Sequence, residues 1–353
     1  MKHLLRLSSL AIVLSITQCA ALAQATVDAA TRRQVVDAAI ARMKERYVFP
    51  DVAKKVEAAL QRQWQAKAFD GLDDPKAFAD KLTTELQAVT RDKHIRVRYS
   101  AQPLPPRTSD TPSAEELAND RREEQLHNYG VERVERLQGN IGYIDLRSFA
   151  PTDWAGETLA AAMTLVANTD ALIVDLRKNG GGDPSTVAFV TSYLFDTRTH
   201  LNSLYWREGD RTEQFHTHDW VPGKRFGQKK PVYVLTSSRT FSGAEEFSYN
   251  LKNLKRATLV GETTGGGANP GDVVPLNGHF GMFVPTGRAV SPITKTNWEG
   301  TGVEPDVKVA ADQALDVARR MALEKVIATE TDAERKGSLQ ELLATWQKDT
   351  SAR

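Results

Sequence analysis

The stretch TSSRTFSGAEEF, from Thr236 to Phe247, packs five hydroxyl side chains into seven residues and then turns helical. Ser242 stands at the predicted helix start, where unpaired backbone N–H groups and the helix dipole favour negative charge. An oxyanion formed in acyl transfer needs that environment. The same serine opens a Ser-x-x-Glu pattern with Glu245, whose plain structural meaning is a capping box. A second stretch, KNGGGD from Lys178 to Asp183, follows an apolar strand pattern. Its glycines Gly180, Gly181 and Gly182 allow backbone to approach a ligand closely. The P-loop spacing is absent and no Lys-Ser/Thr pair follows, so this is not that phosphate-binding loop. A nucleophilic serine needs a base, and the candidates are His94, His127, His200, His216, His218, His279 and any neutral lysine. Spacing alone does not rank them. His216-Thr217-His218 lacks a third ligand at helical or finger spacing and reads as a solvated loop.

These residues must be positioned by elements that the pattern also predicts. From Thr31 to about Val89, apolar residues recur at helical spacing: Val35, Val36, Ala39, Ile40, Met43, then Val52, Val56, Leu60, Trp64, then Phe78, Leu82, Leu86, Val89. Phe49-Pro50-Asp51 and Asp74-Pro75 punctuate them, giving three amphipathic helices. A Pro-, Ser- and Thr-rich stretch follows, AQPLPPRTSDTPSAEE, and reads as a linker. After Val131 strands and helices alternate, which predicts α/β layering. NIGYIDLRSF, ALIVDLR, PVYVLTS and ATLVG read as strands. Helices are predicted over Trp154 to Val166, after Asp183-Pro184, over Ser242 to Leu254, and in two closing segments. The expected organisation is a leader over 1–23, a helical domain over 24–100, a linker over 101–130, an α/β core over 131–310 and C-terminal helices over 311–353.

The leader is predicted from Lys2 and Arg6 before the apolar run Leu10 to Ile16, with small residues at Ala21-Leu22-Ala23. No other stretch approaches about 18 consecutive apolar residues, so no stable membrane insertion is expected after cleavage. The implied location is the periplasm or the extracellular space. The only cysteine, Cys19, lies inside the leader, which removes disulfides, a thiol nucleophile and cysteine metal sites from the mature chain. At 353 residues, 41% of them hydrophobic, the chain is long enough for two packed units. A net charge of +1 gives no sign of a nucleic-acid partner.

Five segments, IGYIDLRSF, ALIVDLRKNGGGD, VYVLTSSRTFSGAEEF, LVGETTGGGANPG and NWEGTGVEPDV, occur in the order and spacing of the C-terminal processing peptidase family of serine proteases. The chain resembles that family from about Gly139 to Val309. The resemblance implies a crotonase-like α/β core beside the helical domain, a nucleophile at Ser242, and oxyanion donors at the amides of Gly243 and Gly181. It implies a peptide or protein substrate and no metal or cofactor. In the processing-protease branch a lysine serves as base about 25 residues after the serine, but here that position is Gly267. Nor is there room for that branch's PDZ domain between Tyr99 and Gly139. The chain is more similar to the branch of the tricorn core protease and interphotoreceptor retinoid-binding protein, which implies His94 as the base and Glu299 as its support. Lys93 stands where that branch has a serine linking the two, which leaves Asp92 or a water as alternative partners of the imidazole. The retinoid-binding relatives imply a second reading, a non-catalytic carrier of apolar ligands on the same fold. An esterase or amidase acting on small substrates is a third.

Overall fold

A computed structural model describes residues 26–104 and 113–351. The leader expected over 1–23 and part of the expected linker lie outside those residues. The described chain opens with α1 (Ala29–Arg46), α2 (Pro50–Gln65), α3 (Pro75–Thr90), β1 (Val97–Tyr99) and α4 (Ala114–Leu126). Then come β2 (Val131–Leu137), β3 (Ile141–Leu146), α5 (Thr152–Val166), β4 (Ala171–Asp175), α6 (Pro184–Ser192), β5 (His200–Trp206) and β6 (Arg211–His216). β7 (Val232–Thr236), α7 (Gly243–Asn253), β8 (Thr258–Gly261), β9 (Gly271–Pro275), β10 (Phe280–Pro285) and β11 (Gly287–Val290) follow. β12 (Val307–Lys308), α8 (Ala314–Thr329) and α9 (Ala333–Ser351) complete it.

Local signals start the helices. The carboxylates of Asp28 and Asp74 accept the N–H groups of Thr31 and Ala77, each at 2.7 Å. Pro50, Pro75 and Pro184 occupy first-turn positions where a missing N–H costs nothing. The central sheet has the order β12-β8-β7-β4-β3-β2. All its strands run parallel except β2, which pairs antiparallel at one edge. β4 and β7 are buried throughout, which is why their sequences, ALIVD and VYVLT, are nearly unbroken apolar runs. Strand alternation sends Leu172, Val174, Val232 and Val234 to the side of α5, α6 and α7. Ala171, Ile173, Tyr233 and Leu235 face α8 and α9. The α/β layering and the helical N-terminal region are therefore both present.

Three features differ from the sequence reading. Helix α4 occupies part of the stretch read as linker, started by a capping box between Ser113 and Glu116. The hairpin β5–β6 was not anticipated; it pairs with β11 in a separate three-stranded sheet. The N-terminal unit is not helical alone, because β1 pairs with β10, and β10 with β9. The apolar residues Val274, Phe280, Met282 and Val284 of this hairpin share one buried cluster with α1, α2 and α3. Phe280 meets Phe78 edge-on at 5.6 Å between ring centroids. Because β1 is tied to β10, His94 just before it is held beside the loops of the central sheet. Among the described residues no helix is long and apolar enough to cross a membrane.

Candidate active site

Three loops leave the carboxyl ends of the neighbouring parallel strands β4, β7 and β8, the edge of an open α/β sheet where ligand crevices form. They carry Gly180 to Gly182, Ser242, and Thr263 to Ala268. The β7 loop is stitched to its neighbours by its own hydroxyls. Thr236 Oγ1 donates to the carbonyl of Glu262, Ser237 Oγ to that of Arg177, and Thr240 Oγ1 to that of Leu176. Ser238 is exposed at the rim, its N–H donated to Glu262. Ser242 lines a cleft of about 610 Å³ that Gly243, His94, Phe241, Glu246 and Trp298 also line.

The backbone of Ser242 has φ 52° and ψ −120°, unlike the extended conformation of an ordinary N-cap. A non-glycine residue in such a sparsely populated region is strained, and strain of this kind concentrates at functional sites. Glu245 holds the turn. Its carboxylate accepts the N–H of Ser242 at 2.9 Å, those of Gly266 and Gly267 at 2.6 and 2.8 Å, and the Thr264 hydroxyl at 2.5 Å. The capping pattern pointed to the first of these bonds; the other three come from a loop about 20 residues away and left no local signal.

The glycine loop differs from expectation at one atom. Gly181, with φ 110°, donates its N–H to Asn179 Oδ1 at 2.8 Å, so this amide is engaged. A Cβ on Gly181 would stand 2.7 Å from Ser242 Cβ, which makes it a close-contact position against the serine. Gly180 and Gly182 line the cleft. Their N–H groups, and that of Gly243, have no acceptor among the described residues. Asn179, unremarked in the sequence reading, is fully buried and also donates to the Leu146 carbonyl and accepts the Phe241 N–H.

His94 follows the left-handed C-cap of α3 at Arg91, and its N–H is fixed by Asp92 Oδ1 at 3.0 Å. Asp92 Oδ1 also lies 3.7 Å from His94 Nδ1. Glu299 accepts the Ala268 N–H through Oε2 at 2.6 Å, while its Oε1 is buried without a hydrogen-bond partner. Both ring nitrogens of His94 are likewise buried and unpartnered, so no hydrogen bond joins His94 to Ser242 in this structure. One ring nitrogen of His94 and one carboxylate oxygen each of Asp92 and Glu299 lie within 4.8 Å of one another. Glu299 thus comes close to His94 without an intervening serine. Lys93 turns away and donates to the Gly265 carbonyl at 2.6 Å. A cation could be enclosed by the same trio, but it would take the imidazole lone pair that a general base uses.

The rings of Phe241 and Phe283 flank His94 at 4.6 and 5.5 Å. Burial, with the charge of Arg96 second, pushes its imidazole down to about 4. Burial pushes Asp92 up to about 6 against hydrogen bonds from Asn269, the His94 N–H and Tyr47. It pushes Glu299 up to about 8, with the charge of Asp92 adding to the effect. Two carboxyl groups sharing one buried site resist ionising together. At Gly267 a Cβ would fall 2.2 Å from Phe241 Cζ and 2.7 Å from His94 Cε1. The imidazole and the phenyl ring fill the space that a side chain there would need. Farther off, His216 is not in a solvated loop: it ends β6 opposite His200, with the two rings stacked at 4.6 Å.

Compared with known families, residues 140–309 match Peptidase family S41, and residues 20–133 match the N-terminal domain of Peptidase_S41 in eukaryotic IRBP. The chain is 27% identical over 186 residues to carboxyl-terminal-processing peptidase 1, chloroplastic, of Arabidopsis thaliana, covering 51% of this chain and 36% of that protein. It is 28% identical over 180 residues to the carboxy-terminal-processing protease of Bartonella bacilliformis, covering 49% of this chain and 40% of that protein. The chain therefore spans less than half the length of these relatives. In fold it is similar to the crystal structure of a candidate peptidase from Parabacteroides merdae, with a TM-score of 0.59, 20% identity, and coverage of 85% of this chain and 99% of that one. A candidate S41 protease from Bacteroides fragilis gives a TM-score of 0.53 at 13% identity, covering 88% of this chain and 96% of that one.

Proposed function

The chain belongs to peptidase family S41, and we propose that it is a serine peptidase working through an acyl-enzyme on Ser242. One observation carries the reading: a serine with strained backbone and a buried histidine with two unpartnered nitrogens line the same cleft. His94 takes the Ser242 proton as the oxygen attacks a peptide carbonyl, and then gives it to the leaving amine. The Gly243 N–H, assisted by the loop amides of Gly180 and Gly182, receives the developing oxyanion. Gly181 acts as spacer beside the serine rather than as donor. Asp92 and Glu299 orient the imidazole, and Asp92 stabilises its charged form. Water repeats the cycle on the acyl-enzyme, and no metal or cofactor takes part. A carrier of apolar ligands would have no use for this buried polar pair. The charged, apolar and small-residue pattern at the start of the sequence supports work in the periplasm or outside the cell.

The test is labelling with a fluorophosphonate probe, followed by peptide mapping and hydrolysis of peptides. Carboxyl-terminal segments of proteins are the first substrates to try, given the names of the relatives. Labelling should fall on Ser242, and Ser242→Ala and His94→Ala should each remove labelling and hydrolysis, whereas Ser238→Ala should retain both. Hydrolysis by a folded Ser242→Ala protein at the unmodified rate would overturn the assignment.

A further inference from the structure

Among the described residues, nine buried side-chain nitrogen and oxygen atoms lack a hydrogen-bond partner, and four of them belong to His94, Asn269 and Glu299. A buried polar atom left unpaired is costly and calls for a reason. Proton exchange with Ser242 accounts for one imidazole nitrogen. It accounts for neither the second nitrogen, nor Glu299 Oε1, nor Asn269 Oδ1. The other half of each polar group is fixed: Glu299 Oε2 accepts the Ala268 N–H at 2.6 Å, and Asn269 Nδ2 donates to Asp92 Oδ2 at 2.8 Å. The His94 side chain is 9% exposed and lines the cleft, so a small ion can reach it from solvent.

Unpaired lone pairs beside two buried carboxyl groups are what a cation site requires. One nitrogen of His94 and an oxygen each of Asp92 and Glu299 lie within 4.8 Å of one another, and Asp92 Oδ1 is 3.7 Å from His94 Nδ1. Ligands on one tetrahedral zinc ion stand roughly 3.3 Å apart at bond lengths of about 2.0 to 2.2 Å, so side-chain shifts of about 1 Å close the set. Two carboxylates sharing a buried site repel each other, and a divalent ion removes that repulsion. Against the charge of Arg96, which acts on His94, stand those of both carboxylates. An imidazole with two carboxylates suits zinc, whereas magnesium and calcium take sets of oxygen ligands. Asn269, Tyr47 and the Ala268 N–H already hold the carboxylates from behind, as the outer contacts of a metal site do. We propose that Asp92, His94 and Glu299 bind a zinc ion and that the bound ion reversibly silences the enzyme, the second part resting on the serine peptidase reading. The ion occupies the imidazole lone pair that would take the Ser242 proton, so Ser242 stays a hydroxyl until the ion leaves.

The test takes the full protein, untagged and stripped of metal with a chelator, and titrates it with zinc chloride by calorimetry. One ion per chain should bind, and magnesium in about 100-fold excess should not compete. Asp92→Asn and Glu299→Gln, which keep the shape of each side chain, should each weaken binding by at least about tenfold. In crystals of the unmodified protein grown with zinc, an anomalous-scattering peak at the zinc edge should lie between the His94 ring and the two carboxylates. This measurement does not depend on the folding of any variant. Fluorophosphonate labelling of Ser242 should fall as zinc fills the site and return when a chelator removes it. A peak only elsewhere, such as at the stacked His200 and His216 or at exposed His127, with equal zinc affinity in both variants, overturns the proposal and leaves the peptidase reading standing. Zinc at the trio with labelling unaffected overturns the silencing. Zinc at the trio with no labelling even in the stripped protein supports the site and overturns the peptidase reading instead.

Discussion

His94 sits between two carboxyl groups that should not do the same work. Burial raises both, but Asp92 accepts hydrogen bonds from Asn269, Tyr47 and the His94 N–H that favour its ionised form, whereas Glu299 accepts that of Ala268 and is raised further by the charge of Asp92. The charge that stabilises the imidazolium then belongs to Asp92. Asp92→Asn should lower kcat by about 10³- to 10⁴-fold, the scale seen when a histidine base loses its carboxylate partner. Glu299→Gln, which mimics the neutral acid, should stay within about tenfold of the unmodified rate. Steady-state kinetics of the two variants checks this, and the reverse order would exchange the roles. The imidazole is itself pushed down to about 4 by burial and by Arg96. The acid limb of kcat/KM should therefore lie below the usual imidazole value of about 6.5, with activity retained at pH 6.

Helix α7 concentrates three functions in its first turn and a half: Ser242 at its start, Glu245 tying that start to the 264–267 loop, and Glu246 beneath the cleft. Glu246 is 4% exposed, and burial pushes it up to about 8 against nearby Asn202 and Asn250. In the unfolded chain it releases its proton near 4.5, but in the folded protein not until about 8. Between those values the folded state binds more protons, so this residue makes stability fall as pH rises. Glu246→Gln removes that titration. Urea midpoints at pH 5 and pH 8 should show the variant gaining on the unmodified protein as pH rises, and a constant difference would mean that Glu246 ionises normally when folded.

At the scale of the molecule, the proposed nucleophile and base come from different packed units, joined through the β1–β10–β9 sheet. Phe280, 1% exposed, lies at that junction against Phe78 and Tyr99. Phe280→Ala should cost about 3 to 5 kcal/mol of stability. The protein that stays folded should also lose kcat, because the strand holding His94 is anchored there. Denaturant unfolding together with kinetics under folding conditions checks both; an unchanged kcat would show that His94 is fixed by its own turn alone.

Features that depend on near neighbours are legible in the amino-acid sequence. The starts of α3 and α6 were legible through Asp-Pro pairs, the buried strands β4 and β7 through apolar runs, and Ser242 at the head of α7. The ordered motifs then pointed to the family and to His94 and Glu299 as candidates. Which groups meet is settled by the folded packing. It set Glu299 within reach of His94 across some 200 residues of chain, used the Gly181 amide on Asn179, and filled the space beside Gly267 with His94 and Phe241. It also moved β9 and β10 into the helical unit. Capping and periodicity are local and leave a mark in a few consecutive residues. Burial, pKa shifts and contacts between loops arise from packing of distant segments, and no single stretch of sequence encodes them.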